Sequence, residues 1–284
     1  MIAEFLRSWA LFHNAYLAGW LIAALLGLSG VIVVARNHIF IGAAVAQAST
    51  LGIALGMWLG AALHIEVLGG DHAHGVLSFI GVGFAIAAAL ITAREGPSGA
   101  REAATGWVFL AAGSLAILVL AHSPHGLEEI EHLVSSSIIG ATPMDVLVFA
   151  ALTATAVIAV WAARDRLMLF ASDPAMAAAV GMRTTGWRTA LAVWLGLVVG
   201  LAMRVTGLLY TFGCLVLPAM AAAALCRETA SLFWVAPLIA IACSAVGFVL
   251  ANHFDDPPGQ MAVAVQAVLV AAVWAVRSRR RAPG

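Results

Sequence analysis

The sequence predicts an all-α, polytopic membrane protein with about nine transmembrane helices, and its composition is the first reason. Of the 284 residues, 63% are hydrophobic and only 10% are charged, and the mean hydropathy is +1.02. Soluble domains average about 45–50% apolar and about 25% charged residues, so this chain lacks the polar side chains that would cover a surface in water. The second reason is that its apolar residues form runs of about 20, the length that crosses a bilayer.

Breaks at charged residues and at proline and glycine clusters divide the apolar sequence into nine predicted spans within one transmembrane domain, residues 1–284. They cover approximately residues 12–35, 40–63, 76–93, 104–121, 144–162, 187–203, 207–225, 231–250 and 261–276. The least distinct break separates the sixth span from the seventh. The first span is expected to be retained, because the N-terminal segment lacks the ordered regions of a cleavable signal peptide.

The arginines predict the orientation of these spans. Twelve of the fourteen fall on one side of the membrane, and only Arg7 and Arg204 fall on the other. The twelve are Arg36, Arg94, Arg101, Arg164, Arg166, Arg183, Arg188, Arg227, Arg277, Arg279, Arg280 and Arg281. Because arginines gather on the cytoplasmic side, the N-terminus is expected outside and the C-terminus in the cytoplasm.

Histidines and carboxylates gather in the loops of the outer side. The histidines are His64, His72, His74, His122, His125, His132 and His253, and the carboxylates are Glu66, Asp71, Glu128, Glu129, Glu131, Asp255 and Asp256. Such side chains attract divalent cations and ligate Zn²⁺ and Mn²⁺. Ordinary solvated loops are the alternative interpretation.

The outer segment 122–134 contains the first candidate metal site. If this segment is helical, His125, Glu128 or Glu129, and His132 share one face, and they form a three-ligand set with an open position. The alternative is a solvated amphipathic helix that caps the bundle.

A second candidate lies in the glycine-flanked loop 69–76. Its His72 and His74 have the spacing of a loose metal collector, although chance enrichment is an equally good explanation.

The absence of lysine excludes two classes of function. All fourteen basic residues are arginines, so the chain has neither the lysine of a nucleotide-binding P-loop nor the amine of a Schiff-base enzyme. The three cysteines lack CxxC spacing and are interpreted as small buried hydrophobic residues. The sequence also has no basic stripe with interleaved aromatic residues, the pattern that would indicate nucleic-acid binding. Membrane lipid is the expected surroundings of the spans.

The inner loop of about residues 164–187 is predicted to contain a short helix. Asp173 supplies an N-cap, Pro174 a favoured first helical position, and Gly181 a stop. Such a helix either rests on the membrane surface or docks in a groove of a partner protein.

Four stretches give the chain a resemblance to a known family. ARNHIFIGAAVAQASTLGIALG (35–56), SDPAMAAAVGM (172–182), RVTGLLYTFGCLVLPAMAAAAL (204–225) and FDDPPGQMAV (254–263) occur in the order and spacing of the permease subunits of metal-type ABC importers. The resemblance implies a homodimeric channel in the cytoplasmic (inner) membrane, two cytoplasmic ATPase subunits that hydrolyse ATP, and an extracytoplasmic metal-binding protein. It implies a transported divalent metal ion, zinc, manganese or similar, and no prosthetic group.

The resemblance also implies a role for the inner loop helix. Residues 173–181 would couple the permease to the ATPase, with Ala177, Ala178 and Gly181 small enough for close approach and Arg183 beside them.

Two positions in the second span depart from the family pattern. Zinc and manganese members carry an Asp and, one turn later, a His in the second span, whereas this chain has Ala43 and Gln47. Gln47 remains a candidate for the transport pathway through its amide oxygen. Asp255, with Pro257 and Gly259, matches the family's Asp-x-Pro-x-Gly pattern, as either an ion contact or a helix-capping turn.

The alternative function is a stand-alone secondary metal carrier or channel. Such a carrier couples ion gradients through ionisable residues buried in its spans, and the predicted spans are almost free of charge. An intramembrane zinc protease is not favoured, because the sequence contains no HExxH motif.

Overall fold

The computed structural model describes residues 2–63, 73–94, 98–122, 138–226 and 228–281. Within these ranges the chain is helical and contains no strand, which confirms the predicted all-α class. The helices are α1 (Ile2–Ala35), α2 (Ile41–Leu63), α3 (Ala73–Thr92), α4 (Ser98–Ala121), α5 (Pro143–Ser172), α6 (Pro174–Ala179), α7 (Thr184–Leu225), α8 (Thr229–Phe254) and α9 (Pro258–Arg281). A 3₁₀ turn, Ile138–Gly140, precedes α5.

Seven of the described helices are long and apolar enough to cross a membrane, and α3 adds the shorter apolar stretch Phe79–Thr92. The sixth and seventh predicted spans both fall within α7, whose 42 residues would extend about 63 Å, roughly twice the hydrocarbon thickness. Gly207 interrupts this helix with φ 73° and ψ 178°, a conformation that favours glycine. The nine predicted spans therefore occupy eight helices, with the weakest predicted break at Gly207.

Helix α5 is longer than its predicted span, 144–162. It continues through the charged residues Arg164, Asp165 and Arg166 to Ser172, because charged side chains beyond the hydrocarbon do not oppose helix formation. Its N-terminus carries a capping box in which the backbone N–H of Asp145 donates to Thr142 Oγ1 at 3.3 Å and that of Thr142 donates to Asp145 Oδ2 at 2.9 Å.

Inter-helix contacts divide the chain into two compact units, each assembled from separate segments. The first comprises Met1–Asn37, Ser137–Met182 and Leu209–Gly284, and the second comprises His38–Ser136 and Arg183–Leu208. Each unit contains membrane-spanning helices.

In the first unit, α1 packs against α5 and α8, and α9 packs against α8. Gly19 faces Phe248 of α8, whereas Gly27, two turns later, faces Ala240, so α1 and α8 are antiparallel. Gly30 lies directly against the backbone of Leu215 in α7. Helices in lipid associate by such close packing, which small residues permit.

A polar cluster lies inside the first unit, within its spans. The hydroxyl of Tyr210 donates to the carbonyl oxygen of Gly19 at 3.0 Å and lies 3.0 Å from Ser244 Oγ. Nearby, Gln266 Nε2 donates to Cys214 Sγ at 3.2 Å. All four side chains are buried, so these bonds join α7 to α1, α8 and α9 without contact with solvent.

In the second unit, α2 packs against α3 and α4. Gly52 of α2 faces Gly81 of α3, and Gly56 faces Leu77, so this pair is also antiparallel. The first part of α7 approaches α3 closely, since Gly196 lies against the backbone of Ile86.

Candidate functional site

Helix α6 is closed at both ends by local hydrogen bonds, as the sequence predicts. Asp173 Oδ1 accepts a hydrogen bond from the Met176 N–H at 2.9 Å, and Pro174 occupies the first position of the helix. At the other end Gly181 has φ 83°. The N–H of Met182 donates to the carbonyl of Ala177, and the N–H of Gly181 donates to that of Ala178, both at 3.0 Å. These two bonds form a Schellman motif, so the short helix has a defined start and stop.

Helix α6 is joined to the end of α5, which in turn contacts the end of α1. The backbone N–H of Asp173 donates to the carbonyl of Leu169 at 2.9 Å, which joins α6 to the last turn of α5. One turn back, Phe170 is 1% exposed and its ring lies under the guanidinium of Arg36, 4.5 Å from the centroid. The end of α1 therefore packs onto the segment that leads into α6.

One face of α6 is exposed and apolar. Met176 is 52% exposed and Val180 56%, and at i, i+4 they share one face. Ala178, Gly181 and Arg183 are exposed too. Ala177, by contrast, is fully buried in its own chain, so it supports the helix from within and does not belong to the exposed surface.

Gln47 lies in the second turn of α2 and is partly exposed. A methyl group at Gly113 of α4 would approach its Cδ and Oε1 atoms to 3.4 Å, so the amide packs beside the glycine of the neighbouring helix. Ala43, one turn earlier, is only 6% exposed. Ala43 is therefore buried in the second unit, whereas Gln47 lies at the contact between α2 and α4.

Asp255 forms the turn between α8 and α9. It is exposed, adopts φ 60° at the C-cap of α8, and its N–H donates to the carbonyl of Ala251. The N–H of Asp256 donates to the same carbonyl at 3.0 Å, and α9 begins at Pro258. The geometry agrees with the capping interpretation of the Asp-x-Pro-x-Gly pattern.

Most of the candidate metal ligands lie outside the described residues. This holds for His72, His125, Glu128, Glu129 and His132, whereas His74 is the second residue of α3. Across the described ranges, no group of three or more His, Cys, Asp or Glu side chains is placed to hold a metal ion.

Two of the histidines predicted on the outer side are among the described residues, and both have partners within the chain. His122 Nδ1 lies 2.8 Å from the carbonyl oxygen of Leu118. His253 Nδ1 lies 3.0 Å from Glu4 Oε2, which joins the end of α8 to the start of α1.

A single family model matches nearly the whole chain. The model of the ABC 3 transport family matches residues 8–277. The chain belongs to the ABC 3 transport family. With its apolar helices, this family member is a multi-pass protein of the cell membrane.

Two relatives match this ABC 3 chain over most of its length. The "Probable iron transport system membrane protein" of Haemophilus influenzae is 25% identical over 256 residues, 90% of this chain and 89% of its own. The manganese import system permease protein ScaB of Streptococcus gordonii is 22% identical over 99% of this chain and 98% of its own.

A solved structure shares the fold of the ABC 3 chain. PsaBC from Streptococcus pneumoniae, in complex with Fab, superposes with a TM-score of 0.79 at 21% identity and covers 96% of this chain and 95% of its own. The resemblance drawn from the four sequence stretches is confirmed at the level of family and fold.

Sequence reasoning missed the two apolar side chains that project from α6. The available signal was the i, i+4 spacing of Met176 and Val180 within a loop otherwise bounded by arginines. It also missed the buried polar residues Tyr210 and Gln266, because the sequence around a single polar residue in an apolar span does not indicate which residue it bonds to.

Proposed function

We propose that this chain is the permease subunit of an ABC importer that carries a divalent metal ion across the cytoplasmic membrane, powered by separate ATPase subunits. The match to the ABC 3 family over residues 8–277 carries the proposal. Relatives named for iron and manganese transport, similar over nearly the full chain, support the metal cargo. The chain has no lysine and hence no P-loop of its own, which agrees with ATP hydrolysis by a partner.

The exposed face of α6 is the proposed contact with the ATPase. A short helix that presents Met176 and Val180 on one face suits an apolar groove in a partner protein. The caps at Asp173 and Gly181 define the two ends of the helix, and the bond from the Asp173 N–H to the Leu169 carbonyl joins it to α5. The contact between Arg36 and Phe170 in turn joins the end of α1 to the last turns of α5. Movement of the ATPase subunits would then reach the spans as a rigid-body shift.

The amide of Gln47 favours a hard cation in the transport pathway. Amide and carboxylate oxygens suit Mn²⁺, whereas imidazole and thiolate suit Zn²⁺. We therefore place Mn²⁺ first among the candidate ions, Fe²⁺ second and Zn²⁺ third. A homodimer and an extracytoplasmic metal-binding protein complete the proposed complex.

Uptake into proteoliposomes tests this function. The chain is reconstituted with its cognate ATPase and binding protein, and ATP-dependent uptake of Mn²⁺, Fe²⁺, Zn²⁺, Co²⁺ and Ni²⁺ is compared. We expect uptake that requires ATP and is greatest for Mn²⁺ or Fe²⁺. Uptake by the chain alone, without ATPase or ATP, would instead identify the secondary carrier.

Two Gln variants test the pathway separately. Gln47→Leu should reduce uptake at limiting metal by about tenfold, because it removes an oxygen ligand and leaves an apolar side chain. Gln266→Leu is the matched control, since Gln266 is buried within the first unit. Equal uptake by the two variants would remove Gln47 from the pathway.

The outer histidines are proposed as the receiving site for the ion. His125→Ala with His132→Ala should raise the metal concentration needed for half-maximal uptake. Replacing His72 and His74 should have a smaller effect, because they are proposed as collectors. Unchanged uptake at limiting metal by the first pair would reject the receiving site and leave the transport function itself intact.

A further inference from the structure

A cavity of about 210 Å³ lies in the first unit between the later part of α5 and the first turns of α8. Its lining includes Trp161, Arg164 and Met168 from α5, and Ser231, Phe233 and Trp234 from α8. It is larger than the cavity of about 150 Å³ that holds a benzene molecule in an engineered protein. The volume is therefore sufficient for the phosphate and glycerol carbons of one phospholipid headgroup.

The cavity has an apolar floor and an amphipathic rim. Val160 and Phe233 form the floor and are 9% and 2% exposed. Trp161, 75% exposed, and Trp234, 53% exposed, stand on opposite walls. Trp161, Arg164 and Met168 share one face of α5, because they are spaced at i, i+3 and i+7. The cation of Arg164 thus lines the cavity on the same wall as Trp161, and Trp234 lines the other wall.

The position of the cavity along α5 corresponds to the depth expected for lipid headgroups. Trp161 is eighteen residues beyond Pro143, the start of α5, or about 27 Å along a helix that rises about 1.5 Å per residue. The hydrocarbon core is about 30 Å thick. Arg164, Asp165 and Arg166 follow immediately and mark where α5 leaves the apolar layer. Tryptophans at this level are typical of the membrane interface.

The charge of the lining suits a phosphodiester. Arg164 is the one charged side chain among the described residues that line the cavity. Its Nε atom lies 3.3 Å from Asp165 Oδ1, but both side chains are largely exposed, at 61% and 89%. An exposed pair of this kind contributes little stability. The guanidinium can therefore exchange the carboxylate for a phosphate, which it binds through two parallel hydrogen bonds.

We propose that this cavity is a binding site for one anionic phospholipid. The phosphodiester is bound by Arg164, with the Ser231 hydroxyl beside it, and the glycerol backbone packs between Trp161 and Trp234. The side of the membrane that carries most of the arginines is also the side where anionic lipids gather. A lipid is favoured over a protein occupant because the cavity opens at headgroup depth and pairs a cation with interfacial aromatic side chains.

Native mass spectrometry of the purified full chain tests the site. The chain in mild detergent is titrated with phosphatidylglycerol or with phosphatidylcholine, and the fraction that retains one lipid is measured. Arg164→Gln should weaken retention of phosphatidylglycerol by about tenfold, because it removes the charge-assisted hydrogen bonds. Arg166→Gln removes the same charge two residues away, outside the cavity lining, and should retain the lipid like the wild type. Trp161→Leu should weaken retention by a smaller factor.

Each outcome decides the proposal. Preference for phosphatidylglycerol over phosphatidylcholine, lost in Arg164→Gln and kept in Arg166→Gln, supports the site. Equal losses in the two arginine variants would show general surface charge and overturn it. Equal retention of the two lipids by the wild type would overturn the anionic headgroup. A dimer of the chain, or a complex with the ATPase, that excludes the lipid would assign the cavity to a protein interface instead.

Discussion

The guanidinium carbon of Arg36 lies 4.5 Å from the ring centroid of Phe170, so the first residue after α1 covers the last turns of α5. Phe170 is almost completely buried, whereas Met176, six residues later, is half exposed. The contact therefore lies at the point where the membrane-embedded part of the first unit joins the exposed helix α6. A cation over an aromatic ring contributes about 0.5–2 kcal/mol, depending on how far it is desolvated.

A double-mutant cycle on Arg36 and Phe170 should detect this contact. Arg36→Gln and Phe170→Leu should each lower the free energy of unfolding, and the pair should show a coupling of about 0.5–1 kcal/mol. The measurement is unfolding of the purified chain in mixed detergent micelles. Strict additivity would show that the two side chains do not stabilise each other, since the cycle cancels the other contacts of Arg36.

The cap of α6 should tolerate Asn at position 173 but not Ala. Asp173→Ala removes the acceptor for the Met176 N–H, at a cost of about 1 kcal/mol to a helix of only six residues. Asp173→Asn keeps that acceptor. In the reconstituted complex, ATPase activity coupled to transport should fall in Asp173→Ala and remain near the wild type in Asp173→Asn. An equal loss in both variants would show that the negative charge is needed and that the cap is secondary.

Glycines in the spans should divide into two classes on replacement by alanine. A Cβ at Gly30 would overlap the carbonyl oxygen of Leu215, and backbone cannot yield cheaply, so Gly30→Ala should destabilise the chain by about 1–3 kcal/mol. Gly106 of α4 has no atom within 4 Å of its ideal Cβ position. Gly106→Ala should be neutral or should gain up to about 1 kcal/mol of helix propensity. Detergent unfolding of the two variants checks the difference, and similar losses in both would contradict the close packing of α1 on α7.

The sequence was sufficient to predict the class of fold, because apolar runs of bilayer length have few alternatives to helices. It placed the break in α7 near Gly207 but did not predict that α5 continues to Ser172. Where a helix ends outside the hydrocarbon layer depends on local hydrogen bonds, which a hydropathy pattern does not report. Nor does the sequence distinguish Gly30 from Gly106, because only the packing of a distant helix makes one of them irreplaceable.

In the candidate site, too, the local features were predictable from the sequence and the features that depend on packing were not. The N-cap at Asp173 and the stop at Gly181 were predictable, since capping depends on neighbours within a few residues. The burial of Ala177 and the exposure of Met176 were not, because they depend on which face of α6 meets α5. The cavity at Arg164 and Trp234 combines two helices that are far apart in sequence, and no local pattern marks it.

Two polar residues buried in the first unit should respond to replacement in opposite ways. Tyr210→Phe removes the hydroxyl that donates to the Gly19 carbonyl and meets Ser244, so it should cost about 0.6–1.5 kcal/mol, the range for hydrogen bonds between helices in membranes. Gln266 is different, because its amide oxygen has no hydrogen-bond partner among the described residues.

Gln266→Met, of similar length and flexibility, removes that unpaired acceptor together with the weak bond to Cys214. We therefore expect it to be neutral or stabilising in the same detergent unfolding assay, because the desolvation cost of the amide disappears. Ser244→Ala serves as the comparison for Tyr210→Phe, since it removes the other side of the same hydrogen bond. A loss in Gln266→Met as large as that in Tyr210→Phe would show that the amide oxygen is paired after all, with water as the natural partner in a buried polar site.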